Sequence, residues 1–488
     1  MLDLKIIPNV NNNSDFYIFF CEKNFSFNSK KLSFIDINNK EINSILQKNK
    51  DEDYFIFNYH SSGPKKIIFI NHKENKDEFE YQNIGGKVIS EIKLAKEINF
   101  IFSNEDKTLE NYYFNFFLGC FLKKYYFTKY KTIFKKNEKI KEKINLLITS
   151  SNKNFFIKIK NDIENIVNGV FLTRDLVSEP PNYLNPEKFV SEIKKLSKLG
   201  LKVDIFDYSK MKKIGMNALL GVAQGSKNLP YFVTITWKPN NSKNKKPISF
   251  IGKGVCFDTG GISLKPAKFM EDMKYDMAGA GTVVGLMKTL ALRKSKSYVI
   301  GAVSLVENMP GGSAQRPGDI VKSYSGKTIE VLNTDAEGRL ILADAIYYID
   351  EQYKPELIVD LATLTGAIVV SLGSEYAGLF SNNDKLSEKL IKAGEIENEK
   401  LWRFPLHKNY DKLMDSKIAD IQNINYSGGA GSITAAQFLQ RFLKNSTPWA
   451  HLDIAGMAWT KKDLDIIPTG ATGYGVKLLN KFVEKYYE

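Results

Sequence analysis

The stretch Ile248-Ser-Phe-Ile-Gly-Lys-Gly-Val-Cys-Phe-Asp-Thr-Gly-Gly261 decides how this chain reads. Its first residues, Ile248–Gly252, form the apolar run of a buried strand, and a loop with Gly254, Gly260 and Gly261 follows. Ala278–Arg293 is helical in pattern, and Val299–Leu305 is again strand-like. Strand, loop, helix and strand in that order make the unit of a mostly parallel sheet covered by helices. Ligands of such sheets bind at the C-terminal ends of strands. Lys253 therefore falls at a strand end, with Asp258 and Lys265 in the loop and Asp276 after them. The glycines permit positive φ and close approach of backbone to a ligand.

Working outward, the same arrangement returns in Thr328–Leu332 followed by Asn333-Thr-Asp-Ala-Glu-Gly-Arg339 and the helical pattern Gly338–Tyr348. Asp335 and Glu337 are two residues apart, so an extended chain puts them on one side, within reach of one ion. Arg339 adds a cation beside them. Asp258, Asp276, Asp335 and Glu337 would repel one another if gathered, and two divalent cations would balance them. A buried Lys253 could join as a neutral amine ligand. A lone Asp-x-Glu before a helix is usually a cap or a dipole partner. Two acid-and-cation clusters, each after a strand and each flanked by glycine, favour the metal reading. Further strands are expected at Val203–Phe206, Tyr231–Trp237, Leu357–Leu361 and Ala450–Ile454.

Residues 1–152 differ in texture, being rich in Asn, Lys and Phe. Runs at Phe16–Phe20, Tyr54–Asn58 and Lys66–Asn71 are strand-like, Ser90–Ile98 suggests a short helix capped by Ser90, and Glu110–Phe127 a longer one. These describe a small N-terminal α/β domain. A linker helix is expected over 153–179, stopped at Pro180-Pro181, and a larger catalytic α/β domain over 180–488.

Hydrophobic residues make up 43% of the 488, which excludes wholesale disorder. The net charge of +14 is spread in proportion to length, with no basic tail. Cys21, Cys120 and Cys256 are few, odd in number and far apart, so neither a disulfide framework nor a zinc ribbon is indicated. Cys256 is expected to face away from the metals if its stretch stays regular. No secretory signal and no 18-residue apolar span is seen, which points to the cytoplasm.

Asn333-Thr-Asp-Ala-Glu-Gly-Arg-Leu340, Gly252-Lys-Gly-Val-Cys-Phe-Asp-Thr-Gly-Gly261 and Ser263-Leu-Lys-Pro266 resemble the signatures of the cytosol (leucyl) aminopeptidase family, the M17 metallopeptidases. Glu307-Asn-Met-Pro310, Ala362-Thr-Leu-Thr-Gly366 and His451-Leu-Asp-Ile-Ala-Gly456 extend the likeness, which covers about 174–488. The resemblance implies that Lys253, Asp258, Asp276, Asp335 and Glu337 hold two divalent ions, zinc or manganese. It also implies that Lys265 and Arg339 are catalytic, with a bicarbonate at Arg339 shuttling protons. Metal-activated water would then release N-terminal, leucine-type residues from peptides. Met273, Thr363, Gly366, Ala455 and Met457 are expected to line the first side-chain pocket.

The resemblance further implies a homohexamer, and DNA binding occurs in some bacterial members. Here Lys123–Lys143 carries nine lysines interleaved with aromatics. The better reading of that run is a solvated helix end and loop.

Overall fold

The structure is a computed structural model, and it describes residues 2–11, 14, 16–33, 38–60, 64–92, 95–105, 107–133 and 144–488. Chain contacts divide it into two compact units, Met1–Val167 with Lys462–Pro468, and Asn168–Lys461 with Thr469–Glu488. The division lies inside one unbroken helix, Lys153–Ser178. The two halves of that helix serve different cores. The Phe156 ring lies tilted at 4.7 Å from Phe102 of the first unit, whereas Thr173 Oγ1 donates to Gly281 O at 2.9 Å in the second.

The first unit contains β1 (Leu2–Ile7), β2 (Phe16–Phe20), β3 (Tyr54–His60), β4 (Pro64–Ile70), β5 (Glu97–Phe102) and β6 (Ile144–Thr149), in the order β1-β6-β5-β2-β4-β3. Every neighbouring pair is parallel except the β3–β4 hairpin. No helix spans Ser90–Ile98. Ser90 lies in the last turn of the helix Glu78–Glu91, with its hydroxyl donating to Gly86 O, and Glu97 already begins β5. The true start is Asp77, which forms a capping box with Glu80. Gly85 lets the carbonyl of Phe116 approach to where a side chain would stand. Of the lysine-rich run, residues 134–143 lie outside the described residues. At its start Lys123 donates to Asp463 Oδ1 at 2.8 Å and to Leu464 O at 2.6 Å, and Tyr125 is buried.

The second unit is built on β7 (Lys202–Phe206), β8 (Tyr231–Trp237), β9 (Ile248–Asp258), β10 (Val299–Asn308), β11 (Asp319–Lys322), β12 (Thr328–Val331), β13 (Leu357–Ala362), β14 (Ala377–Ser381), β15 (Leu401–Arg403), β16 (Ile421–Gln422) and β17 (Trp449–Asp453). Eight of these form a mixed sheet in the order β15-β14-β17-β13-β9-β10-β8-β7, whose centre, β17-β13-β9-β10, is parallel. These central strands are buried along almost their whole length, as strands covered on both faces must be. One core cluster includes Phe250, Val283 and Leu361, and another includes Ile251, Leu340 and Ile346. β11, β12 and β16 form a small separate sheet. No helix among the described residues is long and apolar enough to cross a membrane.

Candidate metal centre and substrate cleft

β9 does not end at Gly252 but continues to Asp258, so Lys253 sits inside the strand and Asp258 at its end. Gly252 and Gly254 serve a close packing of strand on helix, while Gly260 and Gly261 lie in the loop beyond the strand. A Cβ at Gly252 would stand 2.5 Å from Ala280 Cα, in the helix Ala278–Leu292. β13 accompanies β9 only as far as Gly252, while β10 follows it to Asp258. The departure of β13 opens a crevice beside Lys253, at the C-terminal ends of the parallel strands.

Lys253, 2% exposed, reaches into that crevice. Its Nζ lies 2.7 Å from Asp276 Oδ1 and 2.9 Å from Glu337 Oε1, and donates to Thr363 O at 2.9 Å. Lys265 Nζ lies 2.9 Å from Asp258 Oδ2 and 2.5 Å from Asp335 Oδ1. Asp258 Oδ1 accepts from Gly260 N and Asn308 Nδ2, both at 2.8 Å. Gly260, at φ 87°, makes the turn that brings its own N–H back to this carboxylate. The two acid-bearing segments are stitched together. Ser263 N donates to Thr334 Oγ1 at 2.8 Å, and Thr334 N donates back to Ser263 Oγ at 3.1 Å. Glu337 opens the helix Glu337–Tyr353, and Arg339 lies in its first turn with Nη1 donating to Asn423 O at 2.8 Å.

All seven residues of the two sequence motifs thus gather in one place. Oxygens of Asp258, Asp335 and Glu337 lie within 4.8 Å of one another. Asp276 Oδ2 and Glu337 Oε2 are buried without a hydrogen-bond partner. Unpaired buried carboxylate oxygens are costly, and this donor set of hard oxygens with one amine fits divalent cations.

The electrostatics follow from that crowding. Burial and the neighbouring Asp258 and Glu337 push the Asp335 carboxyl up to about 6. Burial raises Asp276 well above the usual carboxylate range. Burial pulls Arg339 down to about 10. Burial also acts to lower Lys253, but Asp276, Glu337 and Asp258 outweigh it and hold the ammonium above its ordinary value. Divalent cations beside this amine would act in the opposite direction.

Cys256 is buried in the core cluster containing Phe250 and is not among the clustered ligand atoms. The expectation of regular alternation was at fault. Residues two apart share a face in a regular strand, and it is a bulge where Val306 and Glu307 pair with Val255 and Phe257 that breaks the phase.

Beside the acids lies a cleft of about 450 Å³, lined by Phe269, Met273, Tyr275, Val369, Ala455 and Trp459 among others. Of the expected pocket residues, Met273 and Ala455 line it. Thr363 instead turns its hydroxyl onto Asp276 Oδ1 at 2.8 Å. Met457 packs against the core, and Gly366 starts the helix Gly366–Leu372. The aromatic lining was not foreseen, because Phe269 and Trp459 come from segments far apart in the chain and carry no motif.

Fold and site together define the class: a two-unit α/β protein with a buried acidic candidate metal centre beside an apolar cleft. Residues 171–480 match the model of the cytosol aminopeptidase family, catalytic domain. A "Probable cytosol aminopeptidase" of Wolbachia pipientis wMel is 53% identical over 431 residues, covering 86% of this chain and 84% of that one. Another from Phytoplasma australiense is 55% identical over 376 residues, covering 77% and 75%. A solved structure, "Bottromycin maturation enzyme BotP in complex with Mn", superimposes with a TM-score of 0.82 at 26% identity, covering 97% of this chain and 100% of that one. The chain belongs to the cytosol aminopeptidase family. That membership supports a metal-dependent hydrolase acting at peptide N-termini.

Proposed function

We propose that Lys253, Asp258, Asp276, Asp335 and Glu337 hold two divalent cations, zinc or manganese, and that the protein releases leucine-type residues from peptide N-termini. The observation that carries this reading is the pair of buried, unpartnered oxygens on Asp276 and Glu337 beside the Asp258–Asp335–Glu337 cluster. The manganese named with the solved relative also supports it. Cations bound there would act as Lewis acids and make water a nucleophile near neutral pH.

The chain's own groups do the rest. Lys265, fully ammonium beside Asp258 and Asp335, stabilises negative charge developing on the scissile carbonyl oxygen. Arg339 offers a buried Nε with no partner, suited to an anion such as bicarbonate that takes up and returns a proton. The cleft takes the first side chain. Met273, Ala455 and the aromatic residues Phe269, Tyr275 and Trp459 favour Leu or Met, with the modest selectivity typical of apolar pockets. The same reading takes the protein to be a cytoplasmic homohexamer, which sedimentation velocity checks directly.

The test is metal stoichiometry per chain measured beside hydrolysis of a leucyl amide. Two ions per chain, with activity lost on chelation and regained with zinc or manganese, is the expected result. A protein that stays metal-free under saturating zinc and manganese ends the reading.

A further inference from the structure

Asn423 follows β16 and is fully buried. β16 pairs in parallel with β12 through Ile329↔Ile421 and Glu330↔Gln422, and Asn423 N donates to Glu330 O at 2.9 Å. Backbone pairing stops there, because β12 ends at Val331 and the chain must turn to present Asp335 and Glu337. The side-chain amide of Asn423 continues the ladder in its place. Its Oδ1 accepts from Leu332 N at 2.8 Å and from Asn333 N at 3.3 Å. Its Nδ2 donates to Asn333 O at 2.6 Å and to Ala336 O at 3.5 Å. Its own carbonyl accepts from Arg339 Nη1. One residue therefore grips Asn333, Ala336 and Arg339, the two ends and the middle of the segment that carries Asp335 and Glu337. Its backbone N–H, its carbonyl and both side-chain polar atoms all serve β12 and this segment.

We propose that Asn423 is a positioning residue for the reaction: it fixes the turn after β12 and aims the Arg339 guanidinium. The proposal rests on the reading of Arg339 as catalytic. Asparagine suits the task because one planar amide both accepts from the N–H and donates to the carbonyl of a single residue, Asn333. Aspartate has the same shape and keeps the acceptor, but it cannot donate to Asn333 O and puts a carboxylate oxygen against that carbonyl. The turn then loosens and Arg339 is aimed less well.

The test is a double-mutant cycle on the metal-loaded enzyme with Asn423→Asp, Arg339→Ala and the pair, reading metal stoichiometry, melting temperature, kcat and KM. In Asn423→Asp at saturating metal, kcat should fall roughly 10–100-fold, the range for partners that orient the groups of a metal site, with KM little changed. The same substitution in the Arg339→Ala background should cost almost nothing further, since both act through one group. An equal loss in both backgrounds assigns Asn423 a merely structural part and overturns the proposal, as does an unchanged kcat. Full activity in Arg339→Ala overturns the catalytic reading of that arginine, and this proposal with it. Impaired Arg339→Ala beside an intact Asn423→Asp overturns this proposal alone. Should Asn423→Asp fold poorly, Asn423→Ser is carried through the same cycle, judged by the same outcomes.

Discussion

Lys265 spans Asp258 and Asp335 while remaining one-fifth exposed, so it neutralises two carboxylates and, in the proposed function, is still open to substrate. Its removal should leave the ions bound, because the other oxygens remain, and slow turnover by roughly 10²–10³-fold, as for loss of one oxyanion donor. Metal analysis beside a leucyl-amide assay checks this, and an undiminished rate in Lys265→Ala would take the lysine out of the chemistry. Asp335→Ala differs in kind. It deletes one of the three clustered carboxylates, so both metal content and activity should be lost together. Residue types were legible at this scale: two acid-and-cation clusters, each after a strand and beside glycines, favour a metal site. The use made of Thr363 was not, since its contact with Asp276 depends on where β13 leaves the sheet. His451 is buried with Nδ1 2.6 Å from Asp360 Oδ1, and the other oxygen of Asp360 accepts from Trp449 Nε1 at 2.7 Å.

Elements set the distances that those residues need. The contact of β9 with the helix Ala278–Leu292 leaves no room for a side chain at Gly252, where Ala280 N would stand 2.6 Å from the new Cβ. Both neighbours are backbone, so they can give way only by moving the strand. Gly252→Ala should therefore destabilise by about 1–3 kcal/mol or more and lower activity by shifting Lys253; urea midpoints and kinetics read the two effects. The C-terminal helix Val476–Tyr487 is anchored by Glu399, whose Oε2 accepts from Gly475 N and Leu478 N, both at 2.9 Å. Burial, against the pull of Lys477, raises this carboxyl to about 7. A raised carboxyl favours the protonated fold, so its stabilisation is complete below the unfolded value near 4.5 and is lost as pH rises through about 7. The loss is on the order of 3 kcal/mol. Urea midpoints at pH 5 and pH 8 should fall further in the unaltered protein than in Glu399→Gln.

At the level of the whole molecule, the cluster is a store of repulsion. Four carboxylates and two lysines meet in one crevice, and burial, with the neighbouring carboxylates, makes Asp335 and Asp276 hold protons more tightly than usual. Cations that bind only the folded chain stabilise it by mass action, about 2.7 kcal/mol at a hundredfold excess over Kd. Chelation should lower the melting temperature by several degrees, with recovery on adding zinc or manganese. Calorimetry with and without metal decides, and an unchanged transition would mean that the acids do not share an ion.

The amino-acid sequence by itself determined the α/β class, most strand cores and the identity of the seven motif residues. These depend on local pattern and on residue chemistry, which a linear reading can see. Only the tertiary structure decided where β9 ends, which residues line the cleft, and that Asn423 braces Arg339. Glycine leaves the end of a strand undetermined until a helix packs against it. A side chain such as Asn423 has no local signature, because its partners lie some ninety residues away and meet it only through the pairing of β12 with β16.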